Sequence, residues 1–164
     1  MTTVVCDASP LIFLAKLDRL GLIRSLLDGE VVVLRCIVDE VLGTAGDRHS
    51  ERQRLRDFLE SVRIEDFTET TEQSGRLSAS DARVLTYAVN RRADWLVVDE
   101  RLLRRIAAHE GIATIGTLGL LVAASKRGLL TRSQAMADVD TAISSHQLRI
   151  STALYREVRM KLQE

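Results

Sequence analysis

Proline, cysteine and aromatic residues are all scarce in this chain of 164 residues, and each shortage excludes a class of protein. The single proline, Pro10, leaves no proline-rich linker, and no internal repeat or low-complexity tract divides the chain. The two cysteines, Cys6 and Cys36, lack the paired spacing of a zinc site, so we expect buried, unreactive thiols. Aromatic residues make up only 4%, so the core must consist mainly of Leu, Val, Ile and Ala.

The chain also lacks an excess of either charge, with 23 basic and 23 acidic residues. A broad basic surface, the usual mark of sequence-independent nucleic-acid binding, is therefore not expected. Arginines do cluster at 91–92 and at 101–105, where a solvated helix face is the ordinary interpretation. Charge alone does not identify a partner.

Long apolar runs are absent as well, since no stretch approaches the roughly 20 residues that a membrane helix needs. The chain starts with a strand-like segment rather than a signal-peptide pattern, so we expect a cytoplasmic protein without a membrane partner. A hydrophobic content of 46% and a length of 164 residues predict one globular domain over residues 1–164.

Strand-like and helix-like segments alternate along the chain. The predicted strands are residues 3–6, 31–34, 95–98 and 112–115. The first predicted helix starts at a Ser9–Pro10 cap, and the others span 22–27, 37–42, 51–62, 78–91, 101–110, 118–127, 133–144 and 151–162. Polar loops are predicted at 43–50 and 66–75. Helices between strands imply right-handed crossovers, so we predict a three-layer α/β/α fold with a mainly parallel central sheet.

Four acidic residues lie where these segments begin or end. Asp7 and Asp99 each follow a predicted strand, Asp81 lies at the start of a long helix, and Glu40 lies in the helix after the second strand. The carboxyl ends of parallel strands share one edge of the sheet, where ligand crevices form. Carboxylates that meet there repel one another unless a divalent cation binds them. The pattern therefore predicts a site for Mg²⁺ or Mn²⁺.

Each acid also has an ordinary structural interpretation. Asp7 fits an Asx-turn, Glu40 a solvated helix residue, and Asp99 the cap of the following helix. Asp81 stands three residues after Ser78, which is the spacing of a capping box. Taken singly these signals are weak, and the hypothesis depends on the set.

Taken in order, four motifs resemble those of the PIN-domain ribonucleases, whose prokaryotic members include toxins of toxin–antitoxin pairs. The matching segments are Val-Val-Cys-Asp-Ala-Ser-Pro-Leu at 4–11, Val-Asp-Glu-Val at 38–41, Leu-Ser-Ala-Ser-Asp-Ala at 77–82 and Leu-Val-Val-Asp-Glu at 96–100. A Gly-Thr-Leu-Gly step at 116–119 resembles one branch of PIN-like proteins. The resemblance implies a PIN-like fold and metal-dependent endonucleolytic cleavage of RNA.

The resemblance also implies roles for particular residues. The implied catalytic residues are Asp7, Glu40, Asp81 and Asp99. The implied ligands of Mg²⁺ or Mn²⁺ are Asp7, Asp81 and Asp99, with Glu100 as a substitute or second ligand. We expect Asp7 and Asp99 to bind directly, and Asp81 and Glu40 to bind through water or to hold a second ion. Ser9 and Thr117 are expected to position water or phosphate, and Arg83, Arg101 and Arg104 are candidates for RNA contacts.

The partners implied in the same way are an RNA substrate, a small antitoxin protein and a second copy of the chain in a homodimer. Leucines 17, 22, 26 and 27 are a candidate contact surface, although core packing also explains them.

Other classes of α/β protein fit the sequence less well. A phosphorylation-receiver domain needs a lysine near the end of its last strand, and Gly-Thr stands there instead. An aspartyl phosphatase needs Asp-x-Asp, and no Gly-rich phosphate loop follows any strand. The remaining alternative is a PIN-like binding or scaffold module whose site is idle.

Overall fold

A single parallel sheet carries the elements that end at the predicted site. The structure is a computed structural model that describes residues 1–44, 49–71 and 76–164. The strands are β1 (Thr3–Cys6), β2 (Glu30–Leu34), β3 (Arg63–Glu65), β4 (Trp95–Val97) and β5 (Ala113–Ile115). They pair in parallel in the order β3-β2-β1-β4-β5. The predicted three-layer α/β/α class is confirmed.

The central strands are apolar along their whole length because helices cover both faces of the sheet. Val5 of β1 pairs with Val32 of β2 on one side and with Leu96 of β4 on the other. All three side chains are at most 1% exposed. β-branched side chains suit such a sheet, and burial on both faces requires a continuous apolar run rather than an alternating one.

The helices pack around this sheet and against one another. They are α1 (Ala8–Leu17), α2 (Gly21–Leu26), α3 (Arg35–Thr44), α4 (His49–Glu60), α5 (Ala79–Asn90), α6 (Arg101–His109), α7 (Thr117–Lys126), α8 (Arg132–Ser144) and α9 (Thr152–Gln163). Helices α1, α3 and α4 pack together, α7 packs against α2, α8 and α9, and α5 packs against α6 and β1. None of the helices in the described ranges is both long and apolar enough to cross a membrane.

Two elements differ from the sequence-based prediction in existence or in length, beyond the shifts of one or two residues at each end that the others show. Strand β3 was not predicted, because Arg63–Glu65 has three residues with only one apolar side chain, and its pairing with β2 defines it. Helix α3 runs over Arg35–Thr44 rather than 37–42, because it continues directly from the end of β2. Of the predicted loops, residues 45–48 and 72–75 lie outside the described part of the chain.

The predicted Ser9–Pro10 cap is wrong by two residues. Helix α1 begins at Ala8, and Asp7 occupies the N-cap position without a side-chain cap hydrogen bond. Pro10 is accommodated because the first-turn amides of a helix have no intrahelical acceptor. The Ser9 hydroxyl instead reaches Asp99, 90 residues away in the chain.

The predicted thiol burial is confirmed for only one cysteine. Cys6 is buried and Cys36 is partly exposed, and both are free. Burial raises the pKa of the Cys6 thiol, which keeps it in its unreactive form. Among the candidate surface leucines, Leu22, Leu26 and Leu27 are at most 8% exposed and belong to the core.

Candidate active site

The acidic residues gather where the strand order of the sheet reverses. From β1 the chain moves outward to β2 and β3, and then returns to the other side of β1 to form β4 and β5. Such a switch point leaves a crevice beyond the carboxyl ends of the two central strands. Asp7 follows β1 there, and its backbone N–H donates to the Val97 carbonyl of β4 at 2.9 Å. Asp99 follows β4 on the same edge.

Asp7 is the most deeply buried of these acids. Its side chain is 3% exposed, and its Oδ1 has no hydrogen-bond partner among the described residues. The pKa of Asp7 is raised to about 7, first by burial and then by the charges of Asp81, Glu40 and Asp99, against a hydrogen bond from the Ala8 amide that lowers it. An unpartnered buried carboxylate oxygen is costly, so this atom points to a ligand or a bound proton.

Asp81 faces Asp7 from the first turn of α5. Ser78 caps this helix, and its Oγ accepts from the Asp81 N–H at 3.2 Å. Partial burial raises the pKa of Asp81, as does the charge of Glu100, while hydrogen bonds with Ser78 and Asp7 act in the opposite direction. Two neighbouring carboxyl groups with raised pKa values favour either a retained proton or a bound cation.

Asp99 is held by three donors from two other elements. The Thr117 N–H donates to Oδ1 at 2.7 Å, and the Thr117 hydroxyl donates to Oδ2, also at 2.7 Å. The Ser9 hydroxyl donates to Oδ2 at 3.3 Å. Thr117 is the first residue of α7, so Asp99 satisfies an otherwise unpaired amide at that helix start. Asp99 therefore joins β4 to α7 and α1.

Gly116 makes this contact with Asp99 sterically possible. A Cβ at this position would lie 2.6 Å from Asp99 Oδ1 and 3.0 Å from the Val98 carbonyl oxygen. The backbone before α7 and the carboxylate can therefore approach closely only when no side chain is present.

Glu100, and not Asp99, caps the following helix α6. Its carboxylate accepts from the N–H groups of Leu102 at 3.1 Å and Leu103 at 2.6 Å. Its charge still raises the pKa of Asp81, so Glu100 lies at the margin of the acidic group. The two adjacent acids of the fourth motif, Asp99 and Glu100, therefore have different hydrogen-bond partners.

Glu40 is exposed on α3 and approaches the group from the side of β2. Its Oε2 accepts from the Ser80 hydroxyl at 3.3 Å, which brings Glu40 beside the start of α5. Its charge is one of those that raise the pKa of Asp7. Exposure to water makes its ionised form less costly than that of Asp7.

The structure thus brings Asp81, Glu40 and Asp99 close enough to Asp7 for the charge of each to raise its pKa. No group of three or more His, Cys, Asp or Glu side chains within the described ranges is arranged to hold a metal ion directly. The oxygens of Asp99 and Glu100 are engaged in hydrogen bonds. The donors nevertheless suit a hard divalent cation, because they are carboxylates and Asp7 Oδ1 lacks a partner.

Two contributors were not identified from the sequence. Gly116 was noted only as part of a motif, although a glycine between a strand and a helix is a signal of close backbone approach. The Ser80 contact with Glu40 joins residues 40 positions apart and has no local sequence signal. Gly116 leaves room for the Asp99 carboxylate, and Ser80 donates a hydrogen bond to Glu40. Neither residue adds charge to the site.

Comparisons with known proteins show the family and the fold of the chain. A family model described as "DUF3368: PIN domain" matches residues 3–164. Among solved structures, the fold is similar to a PilT N-terminus domain protein, SSO1118, from the hyperthermophilic archaeon Sulfolobus solfataricus P2. The TM-score is 0.53 and the sequence identity is 17%, over 73% of this chain and 90% of that chain. Similarity at this level of identity supports the fold alone. No curated protein matches.

The raised pKa of Asp7 predicts that stability in the presence of a chelator falls as pH rises. The folded state retains a proton up to a pKa of about 7, whereas the unfolded carboxyl ionises near 3.8. The folded state therefore binds more protons between these values, and the free energy of unfolding decreases across that window. Urea titrations from pH 4 to 8 should show this decrease in the wild type and a flatter curve for Asp7→Asn. An Asp28→Asn control, at the opposite edge of the sheet, should follow the wild type; parallel curves for all three would contradict the prediction.

The close approach at Gly116 predicts that Gly116→Ala is destabilising. The added methyl group must displace either the Asp99 carboxylate or the backbone, so we expect a loss of roughly 1–3 kcal/mol in the free energy of unfolding. Gly21→Ala is the matched control, because nothing lies within 4 Å of its added Cβ. If urea titrations give the two variants the same free energy of unfolding, the contact with Asp99 does not limit the side chain at position 116.

Proposed function

The chain belongs to the DUF3368 family of PIN domains, whose members are generally nucleases, and on that premise we propose that it is a metal-dependent endoribonuclease. The reaction would be hydrolysis of phosphodiester bonds in RNA. The observation that carries the proposal is the buried Asp7 carboxyl, with one unpartnered oxygen and a pKa raised to about 7 among three further acids. Strongly perturbed acids in a crevice are typical of functional sites.

Divalent metal ions are typical of PIN domains, and the acids at the switch point suit Mg²⁺ or Mn²⁺. The proposed ligands are Asp7, Asp81 and Asp99, with Glu100 as a substitute or second ligand. When bound, such an ion lowers the pKa of a coordinated water and offsets charge on the phosphate. Binding would also release the proton that Asp7 retains at neutral pH, since only the ionised carboxylate is a good ligand.

The remaining residues are proposed to orient these groups. Thr117 and Ser9 donate to Asp99, which supports a role in fixing its carboxylate; their predicted contact with water or phosphate stays a prediction. Glu40 is exposed near Ser80, which supports a role in holding a water at the rim of the crevice. Asp7, Glu40, Asp81 and Asp99 together form the proposed catalytic set.

We further propose that the enzyme is the toxin of a toxin–antitoxin pair, inhibited by a small antitoxin protein and active as a homodimer. The resemblance of the motifs supports these roles. The leucines first considered for such contacts lie mostly in the core, so a partner would use another surface. Growth arrest on expression of the wild type, but not of Asp7→Asn, would test the toxin role, and light scattering would test the dimer.

The first prediction from this function concerns cleavage of RNA. Wild-type protein should cut structured or unstructured RNA with Mg²⁺ or Mn²⁺ and should be silent with a chelator. Asp7→Asn should reduce the rate on the order of 100-fold or more, because the most buried carboxylate of the site is lost. Product lengths on denaturing gels provide the measurement.

Asp28→Asn controls for the change in charge, because Asp28 is exposed and precedes β2 at the opposite edge. It should retain full activity. Equal cutting by wild type and Asp7→Asn would indicate a contaminating nuclease. Silence of the wild type with every RNA and metal would favour the binding or scaffold alternative.

The second prediction concerns metal binding without catalysis. Mg²⁺ or Mn²⁺ at about 100 times its dissociation constant should stabilise the wild type by about 2.7 kcal/mol, because the ion binds only the folded state. Asp7→Asn should lose most of this stabilisation, whereas Asp28→Asn should keep it. Thermal melts at pH 8 measure the effect, and equal metal-induced shifts in all three proteins would remove Asp7 from the ligand set.

A further inference from the structure

A pocket of about 290 Å³ opens where the end of α7 meets the start of α8 and the end of α9. These three helices pack against one another, so the pocket belongs to the folded body of the protein. Its lining residues are Ser125, Lys126, Arg132, Lys161, Leu162 and Glu164. No acid of the candidate active site lines it, so this is a second cavity.

The length of α7 separates this pocket from the acidic site. Thr117, the first residue of α7, donates to Asp99, and Lys126, its last residue, lines the pocket. Helix α7 has 10 residues. At a rise of about 1.5 Å per residue, its two ends lie roughly 14 Å apart. A ligand that fits the pocket therefore does not contact the acids.

Positive charge dominates the lining of the pocket. Three of its six residues are basic, namely Lys126, Arg132 and Lys161, and one, Glu164, is acidic. The chain as a whole has a net charge of zero, so this excess of cations is local. Neighbouring cations repel one another, and a bound anion offsets that repulsion.

These cations are weakly paired within the protein. The Arg132 guanidinium forms no ion pair or hydrogen bond with any residue that the structure describes. Lys126 Nζ lies 3.5 Å from Glu164 Oε2, and Lys161 Nζ lies 2.9 Å from Glu157 Oε1, one turn earlier on α9. All four of these paired side chains are at least half exposed. Exposed ion pairs contribute little to stability, so an incoming anion can displace them at small cost.

We propose that this pocket binds a small phosphorylated molecule through its phosphate or pyrophosphate group. The planar guanidinium of Arg132 can donate two parallel hydrogen bonds to phosphate oxygens. The ammonium groups of Lys126 and Lys161 add positive charge without a fixed direction, and the Ser125 hydroxyl supplies a neutral donor. The inference does not depend on the nuclease proposal, because it uses none of the residues of the acidic site.

The charge and the size of the pocket favour this class of ligand. A phosphate ester carries about 1.5–2 negative charges at neutral pH, which matches three basic residues and one acid better than a single carboxylate does. Clefts for drug-sized molecules have volumes of about 300–1,000 Å³, so this pocket lies at the lower limit. Leu162 is 4% exposed and provides an apolar contact for a short carbon skeleton.

Titration calorimetry with inorganic pyrophosphate, in metal-free buffer at constant ionic strength, tests the proposal. The wild type should bind one equivalent. Arg132→Gln with Lys161→Gln should weaken binding about 10-fold or more, because two charged donors to the phosphate oxygens are lost. Both positions are exposed, so the double variant should melt like the wild type.

Glu164→Gln should act in the opposite direction. The substitution frees Lys126 and removes the negative charge that repels the ligand. Affinity for pyrophosphate should therefore rise about 2- to 5-fold, the effect expected of an exposed charge. A gain of affinity cannot result from misfolding, and an unchanged or lower affinity would contradict binding beside Lys126.

Arg56→Gln with Arg105→Gln is the matched control, because it removes two positive charges at exposed positions that do not line the pocket. It should bind pyrophosphate like the wild type. Equal weakening by both double variants would overturn the proposal in favour of diffuse attraction, and so would a wild type that does not bind millimolar pyrophosphate. Tricarballylate that binds as tightly as pyrophosphate would overturn the phosphate assignment in favour of a carboxylate ligand. RNA and metal are absent from all of these measurements, so their outcome is separate from that of the nuclease assays.

Discussion

Mutual repulsion among carboxylates at one edge of the sheet is the constraint on which the rest of the site depends. The fold reduces this repulsion by placing each acid in a different environment. Asp7 retains a proton near neutral pH, Asp99 accepts three hydrogen bonds, Glu100 caps α6, and Glu40 remains in water. These environments reduce the repulsion, and one buried oxygen, Asp7 Oδ1, has no partner among the described residues. That combination is compatible with the proposed cation site.

Much of the fold could be predicted because the buried strands are short runs of β-branched residues between helices. Strand β1 was predicted at its observed bounds, and β2 and β4 differ by one residue each. Strand β3 was missed because an edge strand of three residues, Arg63–Glu65, has no apolar pattern of its own. Helix α3 was predicted too short because nothing in its sequence separates its first turn from β2. Tertiary pairing decided both cases, and local propensity did not.

The membership of the acidic group was predictable from topology, but the support of each acid was not. Parallel strands bring Asp7 and Asp99 to one edge wherever the strand order reverses. The contacts of Asp99 depend on the position of Thr117, 18 residues away, to within a few tenths of an ångström. The sequence offered Asp99 as the cap of α6, but the direction of the side chains makes Glu100 the cap. Gly116 becomes informative only when the distance to Asp99 Oδ1 is known.

Thr117, the first residue of α7, donates both its amide N–H and its hydroxyl to Asp99, and α7 packs against α8 and α9. A cation bound at the proposed site through the Asp99 oxygens would compete with these two donors. The start of α7 would then shift, and the helices packed on it would adjust. By thermodynamic linkage, a ligand that favours one position of α7 would alter the affinity for the cation, and the cation would alter the affinity for that ligand by the same factor.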